Sequence, residues 1–136
     1  MIGIVVVSHA LLSEQLVGAA SLILGEAKAI KAVTFMARES LEDLRKKTSE
    51  ATNEFTEDGC LILTDIMGGS ATNVSIEIMK SRKDVYVVTG VNLPMLLEAM
   101  NSREGNSLKD LADQVSNSGT RSIINLKDFF EKRARK

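Results

Sequence analysis

The chain holds one histidine, His9, and one cysteine, Cys60, so imidazole chemistry can come only from a single ring. His9 follows a β-branched run from Ile2 to Val7 and then Ser8. Asp65 follows a second apolar run, Cys60 to Thr64, and Gly68-Gly69-Ser70 comes just after it. Each part has a chemical use. A carboxylate that accepts a hydrogen bond from one imidazole nitrogen fixes the tautomer and leaves the other nitrogen nucleophilic. Consecutive glycines let backbone approach a ligand closely, and the unpaired N–H groups of a helix start favour an anion. The Ser70 hydroxyl adds a donor. Singly, each also has a plainer use: a lone histidine as an ordinary polar residue, Asp65 as a turn cap, Gly-Gly-Ser as turn chemistry. Cys60 lies inside an apolar run and reads as core. Whether the set forms a site depends on the elements that carry it.

Those elements alternate. Ile2 to Val7, Ile30 to Phe35, Cys60 to Thr64 and Val85 to Val88 are short apolar runs of the kind expected for parallel strands covered on both faces. Between them lie helical patterns. Leu12, Leu16, Ala19, Ala20 and Ile23 recur at helical spacing, with Gly25 as the stop. Ser40 with Asp43 forms a capping-box pattern ahead of Leu41, Leu44 and Ala51. Val74, Ile78 and Met79 follow the glycines, and Asn92 precedes a helix with Pro94 in its first turn. Ser107 with Asp110 precedes Leu108, Leu111, Ala112 and Val115, and Gly119 is the expected stop. Ser122 to Leu126 reads as a fifth strand before a charged helical tail.

This order specifies an α/β, doubly wound, mainly parallel sheet with strand order 2-1-3-4. The first and third strands are then neighbours whose connections leave to opposite faces, opening a crevice at their carboxyl ends. His9, Asp65 and the glycine-rich helix start all fall at that crevice. The expected organisation is one domain over residues 1–136, with a core of 1–125 and a tail of 126–136; Lys132, Arg133, Arg135 and Lys136 there suit a solvated helix end.

Composition narrows the partners. The 136 residues are 44% hydrophobic, with 17 Lys+Arg against 18 Asp+Glu, so nothing favours nucleic acid or an anionic membrane. Four Phe, one Tyr and no Trp give little for base stacking. One histidine and one cysteine make neither a disulfide framework nor a zinc site, and no metal or cofactor is expected. The amino-terminal run lacks a basic flank, and no apolar run reaches the roughly 18 residues of a membrane span, so a cytoplasmic location is expected. Nucleotide phosphate-loop motifs are absent, and Ser8-His9 stands where a phosphoaspartate receiver needs acidic residues. A Ser70–His9–Asp65 hydrolase remains open, although Gly69-Ser70-Ala71-Thr72 is not a nucleophile elbow. His9 is the better nucleophile candidate.

Four segments together carry a family resemblance: Gly3-Ile4-Val5-Val6-Val7-Ser8-His9; Leu22-Ile23-Leu24-Gly25-Glu26; Thr64-Asp65 with Gly68-Gly69-Ser70-Ala71-Thr72-Asn73; and Thr89-Gly90-Val91-Asn92-Leu93-Pro94-Met95-Leu96. In register over residues 1 to about 125, the chain resembles the IIA component of the mannose/fructose/sorbose-type bacterial sugar phosphotransferase system. It departs from that pattern at Ala71 and Thr72, where the family usually has proline and a bulky residue.

The resemblance implies a phosphocarrier that is cytoplasmic and peripheral to a membrane transporter. His9 would accept phosphate from phospho-HPr and pass it to the IIB component, which serves IIC and IID. Asp65 would orient and balance His9, Ser70 would stabilise the phosphoryl group, and Gly68, Gly69, Ser70 and Ala71 would cradle it. The resemblance also implies a homodimer in which strand 122–126, antiparallel to the rest of the sheet, is exchanged between subunits. Two alternatives stay open beside sugar uptake: a regulatory IIA-like phosphoprotein acting on a transcription factor or dihydroxyacetone kinase, and a small serine hydrolase.

Overall fold

A computed structural model describes residues 1–135; Lys136, counted with the expected tail, lies outside the described residues. Four parallel strands, β1 (Gly3–His9), β2 (Ile30–Phe35), β3 (Cys60–Thr64) and β4 (Val85–Val88), form one sheet in the order β2-β1-β3-β4. The register places Val7 against Thr64 and His9 against Phe35. Six helices accompany the sheet: α1 (Leu12–Leu24), α2 (Leu41–Asn53), α3 (Ser70–Ser81), α4 (Leu93–Ser102), α5 (Leu108–Arg121) and α6 (Leu126–Ala134). None is long and apolar enough to cross a membrane.

Strand alternation sends successive side chains to opposite faces, and here both faces are covered. Ile4, Val6, Leu61 and Leu63 pack with Ala20 of α1, Leu96 of α4 and Leu111 and Val115 of α5. Val5, Val7 and Ile62 point the other way, against Leu44 of α2 and Val74 of α3. Cys60 belongs to this second layer, and burial pushes its thiol up to about 12, so it stays an inert thiol. The Ser40–Asp43 capping box is complete, and Ser107 and Asn92 each accept an N–H bond in their helix's first turn.

Three expectations need correction. Leu12 and Ile23 stay exposed, because α1 turns Leu16, Val17 and Ala20 toward the sheet instead. Gly119 does not stop α5, which continues to Arg121. A Cβ at Gly119 would stand 2.4 Å from Met95 Cγ, so the glycine permits close packing of α4 on α5 and is buried inside the helix. Residues 122–126 form no strand within one chain. Ser122 closes α5, and Asn125 caps α6 by accepting a bond from the Asp128 N–H, so Leu126 is already helical. No described residue of α6 is buried, and Ile123, Ile124 and Leu126 are exposed.

Candidate functional site

The carboxyl ends of β1 and β3 bring the singled-out residues together. The His9 backbone N–H donates to Asp65 Oδ2 at 2.8 Å, and His9 Nδ1 lies 2.7 Å from the same oxygen. The Ile66 N–H donates to Asp65 Oδ1 at 2.9 Å. Burial works to raise the Asp65 pKa, but the bonds from the His9 backbone and ring outweigh it and hold the carboxyl below its usual range. An ionised carboxylate only accepts, so Nδ1 carries the proton of this bond. Nε2 is then the nitrogen with a free lone pair.

Local geometry turns that ring outward. Ala10 adopts a left-handed conformation (φ 51°), while its N–H bonds Phe35 O at 2.9 Å, so the chain swings sharply from β1 toward α1. A non-glycine residue held there stores backbone strain of about 1–3 kcal/mol, which the surrounding contacts must offset. Ser8 is fully buried behind the histidine. Its hydroxyl accepts the Ser13 N–H at 2.7 Å and donates to His9 O at 3.1 Å, while Ser13 Oγ donates to Val33 O. The Phe35 ring stands edge-on to the imidazole at 6.1 Å between centroids.

The third component is the start of α3. Gly68 takes φ +84°, a conformation that disfavours other residues, and Gly69 follows as the N-cap at φ −81°. A Cβ on Gly69 would lie 3.1 Å from His9 Cε1 and 3.0 Å from Ile66 Cγ2, so glycine lets the imidazole edge rest against this helix terminus, and a side chain here would force both neighbours to shift. The Gly69 N–H is engaged with Ile66 O at 3.3 Å, and Asn73 N–H returns to Gly69 O. The N–H groups of Ser70, Ala71 and Thr72 therefore lack intrahelical acceptors, as first-turn amides do, and Gly69 has no side chain to cap them. Ser70 Oγ stands at the same terminus but makes no hydrogen bond with His9 among the described residues.

The shelf so formed is open. The His9 side chain is 49% exposed, whereas that of Asp65 is only 11% exposed. Leu11, Leu12, Met36, Ile66 and Met67, all neighbours in sequence of these strand ends, are exposed around it. A cleft of about 450 Å³ lies at the opposite end of the sheet, between Ile2 and Arg103. An exposed imidazole on an apolar rim suits contact with another protein better than enclosure of a small molecule.

Sequence reasoning missed two polar supports, the Ser8–Ser13 pair and a Thr64–Thr72 pair behind the Asp65 turn. Hydroxyls at a strand's end and in the next helix's first turn are their only sequence signal.

Residues 3–116 match the family model described as the PTS system fructose IIA component. Among curated proteins, the fructose-specific EIIA component of Bacillus subtilis (strain 168) is 29% identical over 133 residues, covering 97% of this chain and 91% of that protein. The mannose-specific EIIAB component of Escherichia coli (strain K12) is 31% identical over 127 residues, covering 90% of this chain but 39% of that longer protein. The crystal structure of a phosphotransferase system EIIA component from Streptococcus agalactiae superposes with TM-score 0.88 at 30% identity, covering 94% of this chain and 99% of that one. With the family model spanning the sheet and the whole His9 shelf, the chain belongs to the mannose-type EIIA family of the sugar phosphotransferase system.

Proposed function

We propose that the protein is a phosphoryl carrier of sugar uptake, taking phosphate from phospho-HPr on His9 Nε2 and passing it to a IIB component. The observation that carries this reading is the paired contact of His9 with Asp65 beside the amides of α3. Nε2 attacks phosphorus, the N–P bond to the HPr imidazole breaks, and that imidazole leaves with the bond's electron pair. Asp65 keeps the Nδ1 proton and offsets the positive ring that forms. The Ser70, Ala71 and Thr72 amides with Ser70 Oγ supply fixed donors to the metaphosphate-like oxygens, backed by the glycine turn Gly68-Gly69. The second transfer reverses these steps toward IIB, so the cradle must favour the transition state over the bound phosphate. The carrier works in the cytoplasm beside membrane IIC and IID components, and its apolar rim receives HPr and IIB in turn. Incubation with phosphoenolpyruvate, enzyme I and HPr should yield one phosphoryl group on His9, mapped by mass spectrometry. Absence of that adduct in the wild-type chain defeats the reading.

Gly69→Ala tests the contact between ring and helix. Its φ is ordinary, so the fold should survive with a loss of about 1 kcal/mol from the poorer N-cap. The new Cβ pushes His9 away from α3, and transfer from phospho-HPr should slow about tenfold, about 1.4 kcal/mol of barrier. A wild-type rate in stopped-flow transfer measurements removes the close approach from the mechanism.

We also infer a homodimer built by exchange of residues 122–126. β4 is an edge strand, and exposed Ile123 and Ile124 follow directly on α5, beside a cleft of about 200 Å³ lined by Val88, Met95, Gly119 and Ile123. Pairing this segment antiparallel to the partner's β4 would cover the β4 edge of each subunit. Burying an isoleucine contributes about 1.5–3 kcal/mol, and exchange buries two from each subunit. The full chain should sediment as a dimer, while Ile123→Asp/Ile124→Asp or truncation after Ser122 should yield monomers. A monomeric wild-type chain at micromolar concentration, or a dimeric truncated one, contradicts the exchange.

A further inference from the structure

We propose that the buried hydroxyl pair Thr64–Thr72 is a positioning device that sets Asp65 against the amides of α3. The inference rests on the phosphoryl-carrier reading of the same shelf.

Thr64 ends β3 and is fully buried, and Thr72, in the first turn of α3, is 1% exposed. Their hydroxyl oxygens stand 2.7 Å apart, and Thr72 Oγ1 donates to Ile66 O at 2.6 Å. A hydroxyl has one proton. Thr72 uses its proton on Ile66 O, so Thr64 must be the donor of the other bond. The chain therefore runs in one direction, from Thr64 Oγ1–H to Thr72 Oγ1–H to the Ile66 carbonyl.

Ile66 is thereby gripped from both sides. Its N–H is held by Asp65 Oδ1, and its carbonyl by Thr72 and by the Gly69 N–H. The base of the pair is anchored as well, since Thr64 O accepts the Val91 N–H at 2.9 Å. Asp65 sits between Thr64 and Ile66, so the turn that aims its carboxylate at His9 is tied to the helix turn that offers free amides. A shift in either hydroxyl moves the two halves of the shelf relative to each other. Thr72 is thus a positioning residue: it faces the turn, not the phosphoryl group.

The test uses full-length Thr72→Val, Thr72→Ser and Thr64→Val/Thr72→Val chains. Each is measured for transfer from phospho-HPr, for denaturant stability and for the Asp65 carboxyl titration by NMR. Valine at 72 keeps the shape and removes the chain. It leaves the Thr64 hydroxyl buried without its acceptor, so stability falls; the double variant removes both polar partners and recovers stability. Transfer should stay about tenfold slow in both. Asp65 should titrate at higher pH in both, as its hold on His9 loosens. Thr72→Ser should restore rate and titration together.

Two results overturn the proposal. One is a Thr72→Val chain with wild-type rate and titration; the other is a double variant that recovers rate along with stability, which would make the pair merely structural. If the wild-type chain accepts no phosphate from HPr, the carrier reading fails by itself. The Asp65 titrations of the unphosphorylated chains then decide the positioning claim.

Discussion

A His9→Ala chain supplied with phosphoenolpyruvate, enzyme I and HPr should take up no phosphate, while the wild-type chain should be labelled once. His9 is the only imidazole in the sequence, so no second ring can substitute. The loss should not reflect unfolding. The side chain is about half exposed, and the Asp65 carboxylate keeps the backbone N–H of residue 9 and that of Ile66 after the ring is removed. Stability should change by about 0.5 kcal/mol or less, as for other exposed substitutions. Chemistry of the wild-type adduct gives an independent check, since an N–P bond is cleaved in acid and survives alkali whereas a serine ester does the reverse. Label retained by His9→Ala, or an acid-stable wild-type adduct, would move the nucleophile to Ser70 and revive the hydrolase-like reading.

Much of this shelf is legible in the amino-acid sequence. Three of the four strands occupy the residues expected of them, because parallel strands buried on both faces need unbroken apolar runs. The first runs on through Ser8 and His9, two polar residues that such a run could not announce. The two strand ends that flank the crevice then follow from topology alone.

The polar supports were hidden for the same reason that α1 was misread. Ser13 is fully buried, bonded to Ser8 and Val33, so a polar residue occupies the inward stripe of α1. Leu12 and Ile23 imitate an apolar stripe beside it. Thr72 was likewise invisible, because its partners, Thr64 and the Ile66 carbonyl, meet it only through the turn. Gly119 showed the opposite ambiguity. A glycine late in a helix signals a stop or a close neighbour, and only Met95 of α4 decides which.

Asp65→Asn should slow phosphoryl transfer by about 10³-fold or more, the scale expected when the carboxylate beside a catalytic imidazole becomes an amide. The Asp65 carboxylate accepts three N–H donors across its two oxygens. Asparagine has one acceptor oxygen and one NH₂. If its oxygen faces His9, the NH₂ opposes the Ile66 N–H. If it turns around, the NH₂ opposes the His9 backbone N–H and donates to Nδ1, which moves the ring proton to Nε2 and blocks attack. Either arrangement strands a donor at a cost of about 1–3 kcal/mol, and neither offsets an imidazolium. The loss in rate, about 4 kcal/mol of barrier, should therefore exceed the loss in stability.

The acid range supplies a second signature. The folded Asp65 carboxyl lies below its usual value, so its contribution to stability is fully present above about pH 4 and disappears as pH falls through the folded value. Residue 65 of the variant does not titrate. The stability gap between wild type and Asp65→Asn should therefore be widest near neutrality and close on acidification, as followed by denaturant midpoints at stepped pH. Transfer within about twofold of wild type, or a gap that stays constant down to low pH, would show that Asp65 neither balances His9 nor is held ionised by it.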